Sequence, residues 1–248
     1  IGGQVKETLG IENLISVIQT TGEKLTSDLH NHLLDYDVQI KDQLLVDKIV
    51  NGPLKKVYLS SGEILQTKTI IIATGARPKT FPGLDFDSEN VISSKDAMLL
   101  ENPPKDLIII GSGAIGVEFA YYFNEFGTKV HIVEMMDRIL PNEDREVSEE
   151  VEKNFERSGI KISKGMKVSK IQSMKKSAKV FLKNAGSEKI IKAEKVLLAV
   201  GVTGNIDDLG LEDDWGCVLE EVILDDVSVS GTTCVSELTL LLLEDLID

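Results

Sequence analysis

The clearest pattern of apolar and polar positions begins at Leu107. Four consecutive apolar residues (LIII) stop at a glycine turn (GSG), apolar residues then recur at helical spacing through AIGVEFAYYFNEFG, and a second apolar run follows in KVHIVE. A short unbroken apolar run reads as a strand buried on both faces, so residues 107 to 134 predict one complete βαβ unit. In EDREVSEEVEKNFERSG, Val147, Val151 and Phe155 share one face of a charged helix, with Gly159 at its C-terminal stop. Short strands are predicted at KIS, KVSKIQSM, KVFLK and KVLLAVG, which makes 105–211 one compact domain.

Upstream the pattern is weaker. Leu25, Leu29, Leu33 and Tyr36 predict an amphipathic helix over 25–36, and VQIKDQLLVDKIV reads as strand-like. Alternation around Val57, Tyr58 and Leu59, a turn at Ser61–Gly62 and the apolar run Thr69 to Ala73 predict a hairpin feeding a buried strand. Pro78, Pro82, Gly83, Pro103 and Pro104 mark 77–104 as an interdomain connection.

Composition narrows the function classes. The chain has 248 residues, 42% of them hydrophobic, enough for one large or two ordinary globular domains. A net charge of -14 makes nucleic acid and anionic membrane poor partners, so an anionic ligand must be held by local backbone amides and a helix terminus. The leucine run Leu238 to Leu243 falls far short of the roughly 20 apolar residues that span a bilayer. With two cysteines and no secretory pattern in IGGQVKETLG, a reducing cytoplasm is the expected compartment. The opening Ile-Gly-Gly without Met points to further chain upstream.

Gly111, Gly113 and Gly116 form GxGxxG directly after a strand and at the mouth of a helix. In a dinucleotide site the first glycine permits a tight turn, the second lets backbone approach a pyrophosphate, and the third lets helix and strand pack closely. The candidate cofactor residues here are Gly111, Gly113, Ala114, Ile115 and Gly116. Glycine turns of this form also occur as plain connections. Glu134, which ends the second strand, is placed to accept from an adenine-ribose 2′-hydroxyl and to repel a 2′-phosphate, favouring NAD over NADP. Met135, Met136 and Asp137 follow it, and Arg138 alone adds positive charge. The alternative reading of Glu134 is a solvated acid at a strand end.

The run GSGAIGVEFAYYFNEFGTKVHIVEMMDRILPNEDREVSEEVEKNFERSGIKI, continued by KVLLAVGVTGNIDDLGLE, resembles the NAD domain of the dihydrolipoyl dehydrogenases over about 75–212. That resemblance implies a pyridine nucleotide-disulfide oxidoreductase in which NAD lies near FAD, with Glu118 at the flavin–nicotinamide junction and Gly201 beside the dinucleotide. Read without it, Glu118 is a solvated helix acid and Gly201 a strand-end turn. The first 76 residues instead resemble the FAD domain of thioredoxin reductase and the alkyl hydroperoxide reductase flavoprotein. This implies flavin contacts at Gly3, Gln4 and Asn13, and a close approach of Thr74 and Gly75 to FAD.

Together the resemblances imply an α/β fold of two Rossmann-like domains, the NAD domain inserted in a partial FAD domain. Residues 1–104 would be the partial FAD-binding domain and connection, 105–211 the NAD-binding domain, and 212–248 an atypical remnant of the FAD-domain return. The implied activity is hydride transfer between NAD(H) and FAD coupled to a small-molecule or protein disulfide or dithiol, with full-length members forming homodimers. The alternatives are a thioredoxin or peroxiredoxin reductase-like flavoprotein and a non-catalytic NAD-binding fragment.

The sequence also departs from these patterns. Residues 105–211 contain no cysteine, so the CxxC that thioredoxin reductases carry in the NAD domain is absent. The CxxxxC and FAD-binding GxGxxG of dihydrolipoyl dehydrogenases would lie before Ile1. The segment from Asp213 holds no Gly-Asp, only Glu244–Asp245, and none of His30, His32 and His131 stands in the context of the family's catalytic His-Glu pair. Cys217 and Cys234 match no redox or metal spacing, and no metal site is expected. A frameshifted or truncated coding sequence is the expected origin of the C-terminal segment.

Overall fold

The structure is a computed structural model that describes residues 3–184 and 186–211. These fall into two compact units, one holding residues up to Ile71 together with 207–211 and the other holding Ile72–Ile206. Cys217, Cys234 and the rest of the C-terminal segment lie outside the described residues.

The first unit opens with a 3-10 helix (Gly3–Glu7) and a helix α1 (Gly22–Leu34), followed by an antiparallel meander β1 (Val46–Val50), β2 (Lys55–Leu59) and β3 (Ile64–Thr67). Thr21 caps α1, its hydroxyl oxygen accepting from the Lys24 N–H at 3.2 Å. The helix is where periodicity placed it, but its buried face is different. Gly22 and Thr26 are the buried residues, whereas Leu29 (58% exposed), Leu33 and Tyr36 are exposed. The reason is close approach: a methyl group on Gly22 would collide with the Val5 carbonyl, so α1 meets the 3-10 helix through its smallest side chain.

Two strand expectations are corrected. The strand-like stretch 38–50 forms a strand only from Val46. Thr69 to Ala73 forms no strand, and Ile71 is 75% exposed. An apolar run becomes a buried strand only when neighbours hydrogen-bond to it, and no described strand does so here.

The second unit contains β4 (Ala76–Pro78), β5 (Val91–Ile92), α2 (Ser94–Met98), β6 (Asp106–Ile110), α3 (Ala114–Glu125), β7 (Lys129–Val133) and α4 (Arg145–Arg157). It continues with β8 (Lys161–Ser163), β9 (Lys167–Met174), β10 (Ser177–Lys183), β11 (Glu188–Ala193), β12 (Lys195–Leu198) and β13 (Val202–Gly204). Five strands form a parallel sheet in the order β5-β12-β6-β7-β8, β9 to β11 form an antiparallel meander, and β4 pairs with β13.

Period-two alternation explains why β6 is apolar from Leu107 to Ile110. Leu107 and Ile109 join the core with Ala120 and Phe123 of α3 and Phe155 of α4. Ile108 and Ile110 join the opposite core with Ala178, Val180 and Leu182 of β10. Each such side chain removed from water stabilises the unit by about 1.5–3 kcal/mol.

The stretch from 77 to 104, expected as a connection, supplies β4, β5 and α2. The Asp87 carboxylate accepts from the N–H groups of Glu89, Asn90 and Val91, turning the chain so that Val91 and Ile92 bury beside β12. Ser93 and Asp96 then form a reciprocal cap on α2.

His131 of β7 is half-buried and hydrogen-bonds Ser163 at 2.9 Å. Burial, then the positive charges of Lys161 and Lys189, push its imidazole down from an ordinary 6.5 to about 4. Between these values the unfolded chain holds a proton that the native chain lacks, so this contribution is full above pH 6.5 and is lost as pH falls towards 4. Chemical denaturation at pH 7 and pH 5 is expected to show a smaller acid-induced loss of stability for His131→Asn than for the native chain. An equal loss in both would show that His131 does not carry it.

Candidate dinucleotide site

The site grows from the end of β6. Gly111 follows Ile110 with φ +98°, a conformation that suits glycine, and its N–H donates to the Val133 carbonyl at 3.0 Å. A methyl group on Gly111 would collide with the Ala199 carbonyl oxygen and lie 2.7 Å from its carbon, because Ala199 follows β12 against the turn. One on Gly116 would collide with the Gly111 carbonyl oxygen and lie 3.0 Å from its carbon, so α3 sits directly on the turn. Both glycines are required by the protein's own packing.

Gly113 is different. It precedes α3 in extended conformation at φ -69°, and a methyl group there would meet nothing within 4 Å. The fold does not need a glycine at that position, but a ligand resting on the turn would. No side chain caps α3 and no acid stands in its first turn. The leading N–H groups of a helix lack intrahelical partners and carry the positive end of its dipole, so Ala114, Ile115 and Gly116 open a helix end suited to phosphate oxygens. The residues therefore fit a pyrophosphate.

Glu134 is 7% exposed, and so is not a solvated acid. Its Oε2 accepts from the Ser112 N–H at 2.9 Å and from the Ser112 hydroxyl at 2.6 Å, while Oε1 accepts from the Met136 N–H at 2.8 Å. Its own N–H donates to Ser163 O and its carbonyl accepts from the Met166 N–H. A carboxylate has about four acceptor positions, so three protein donors leave roughly one, on Oε1, for an incoming hydroxyl. A buried charge already held by three donors binds a ribose hydroxyl with little reorganisation and resists a second anion. Arg138 is turned to the protein, its guanidinium donating to Pro141 O.

The glycine turn, the start of α3 and Glu134 thus form one hydrogen-bonded cluster. The other sequence candidates occupy other positions along the chain. Glu118 is exposed on α3. Gly201 lies between β12 and β13 with φ +102°, its carbonyl accepting from the Lys79 N–H. In the same unit Thr74 O accepts from the Asn205 side-chain amide and Gly75 O from the Asn205 N–H. Gly3 starts the 3-10 helix that contains Gln4, and Asn13 is exposed; all three belong to the first unit.

Two residues escaped sequence reasoning. Ser112 occupies an unconstrained position of the glycine motif, and only the structure shows it fully buried against Glu134. Asn205, which holds the 74–75 segment, also accepts from Arg77; the Gly204–Asn205 pair was its one visible signal, as a turn. Among the described residues no group of three or more His, Cys, Asp or Glu is arranged to hold a metal, and no helix is long and apolar enough to cross a membrane.

The chain is similar to several known proteins. The chain is 39% identical over 217 residues to dihydrolipoyl dehydrogenase of Bacillus subtilis, covering 83% of this chain and 46% of the relative. It is 42% identical over 153 residues to dihydrolipoyl dehydrogenase of Chlorobaculum tepidum, covering 61% and 33%. The chain thus spans less than half the length of these curated relatives. Among solved structures, LpdA from Mycobacterium tuberculosis superposes with a TM-score of 0.63 at 24% identity, over 77% of this chain and 42% of that one. Thioredoxin reductase of T. acidophilum superposes with a TM-score of 0.57 at 22% identity, over 84% and 68%. At such identities the two structures speak for the fold, an α/β arrangement of Rossmann-like domains. The profile of the pyridine nucleotide-disulphide oxidoreductases matches residues 5–226, and the chain belongs to that family.

Proposed function

We propose that this chain is part of an FAD- and NAD-dependent oxidoreductase of the disulfide reductase type, similar to dihydrolipoyl dehydrogenase, and that 105–211 is its NAD-binding domain. The observation that carries the reading is Gly113, whose missing side chain leaves open space above a helix start while a buried Glu134 stands beside it. When bound, the two cofactors supply hydride exchange between nicotinamide and flavin. The protein's part is to hold the pyrophosphate on the Gly113 turn and the uncapped start of α3, and to offer the last acceptor position of Glu134 to the adenine ribose. By family resemblance Glu118 would lie at the flavin–nicotinamide junction, Gly201 beside the dinucleotide, and Gly3, Gln4, Asn13, Thr74 and Gly75 towards the flavin, and the substrate is a disulfide or dithiol. The two-cysteine composition supports a cytoplasmic setting.

No described residue is a cysteine, so thiol exchange is not assigned to this part of the protein. Thioredoxin reductase chemistry through a CxxC in 105–211 is disfavoured for the same reason. A visible spectrum of the purified chain tests the assignment. A yellow protein that bleaches on addition of NADH supports the two-cofactor enzyme. A colourless protein that binds NADH would leave a nucleotide-binding fragment, and one that binds neither would overturn the proposal.

A further inference from the structure

We propose that Ser112 is a positioning residue for nucleotide selectivity: its hydroxyl and N–H together clamp Glu134 Oε2, so that the free acceptor position of Oε1 meets a ribose hydroxyl and the charge cannot turn away from a 2′-phosphate. The inference rests on the NAD reading above and deepens it.

Ser112 is 0% exposed and tied on three sides. Its N–H and hydroxyl both donate to Oε2 of Glu134, and its carbonyl accepts from the Leu140 N–H at 2.9 Å. The Met136 N–H holds the other carboxylate oxygen. A carboxylate anchored at both oxygens has one orientation, which matters for selectivity as much as for affinity. A hydroxyl ligand needs an acceptor aimed at it. A phosphate is rejected only if the carboxylate cannot rotate and let water or a cation come between the charges. The glycine motif leaves the residue after its first glycine free, so the hydroxyl is a contribution of this chain's own sequence.

The test compares NADH and NADPH affinities, by nucleotide fluorescence titration, in the native chain and in Ser112→Ala, with thermal melting of both. Ser112→Ala keeps the N–H donor and nearly the same volume, so it is expected to fold. Its preference for NADH over NADPH is expected to fall about five- to tenfold, less than the full worth of a hydrogen bond to a charged group, with NADPH binding unchanged or improved. Ser112→Cys, similar in size but a weak donor, is expected to fall between. Parallel loss of both affinities with the preference intact would overturn the proposal, leaving Ser112 a structural residue, and so would no change in either. A native chain that binds neither nucleotide, or binds both equally, would overturn the NAD reading itself, a result seen before any variant is made.

Discussion

Gly111→Ala is expected to destabilise the second unit by about 2–6 kcal/mol, adding the strain of a side chain in this backbone region to the overpacking of an occupied site. The glycine sits at φ +98° and its substitute methyl would collide with the Ala199 carbonyl, so neither rotation nor a side-chain shift relieves it. Gly116→Ala sets two effects against each other. Inside a helix the exchange gains about 1 kcal/mol of propensity, but the new methyl would collide with the Gly111 carbonyl, which cannot move without disturbing the turn. Overpacking at about 1–3 kcal/mol is expected to win. Gly113→Ala, in open space before α3, is expected to cost less than about 1 kcal/mol and to lower the melting temperature by no more than about 4 °C. Thermal melting of the three variants checks this order. Equal destabilisation would mean that the glycines do not divide into two that pack the protein and one that faces a ligand.

Glu134→Ala is expected to lower stability by about 2–4 kcal/mol and to abolish selective nucleotide binding. Removing the carboxylate leaves the buried Ser112 N–H and hydroxyl, and the Met136 N–H, without their acceptor, at about 1–3 kcal/mol for each donor that finds no other partner. Relief of the buried charge offsets part of that loss. Glu134→Gln separates charge from shape: it keeps an acceptor oxygen but not the repulsion of a 2′-phosphate. It is therefore expected to stay nearer native stability while its NADH preference narrows. Denaturant unfolding gives the first quantity and paired titrations the second. If Glu134→Gln kept the native preference, the discrimination would have to come from elsewhere.

The βαβ unit was legible because three signals coincided there: a doubly buried strand, a glycine motif at the right joint, and an acid at the end of the next strand. Each reflects a local requirement, and β6, α3 and β7 formed within one or two residues of expectation. What was not legible depended on distant partners. Thr69 to Ala73 is as apolar as β6 but gains no neighbouring strand among the described residues. Val91–Ile92 is too short to show a pattern, yet buries fully once the Asp87 loop lays it beside β12. The leucine stripe of α1 suggested one buried face, and Gly22 set another. β11 was missed because EKIIKA alternates too weakly to stand out from the polar residues around it. Within the site, the type and place of Glu134 were readable, but its burial was not, since Ser112 and the backbone of Ser163 and Met166, which bond to it, are distant or unmarked in sequence.

The proposed function stands on the Gly113 turn and Glu134 together forming an NAD site. Its most direct test is a fluorescence titration of the native chain and Gly113→Ala with NADH and NADPH, at a temperature where both are folded. The expected result is saturable NADH binding by the native chain, with NADPH at least about tenfold weaker, and a drop of at least about tenfold in NADH affinity for Gly113→Ala. Equal affinity for the two nucleotides, or undiminished NADH binding by a folded Gly113→Ala chain, would contradict it.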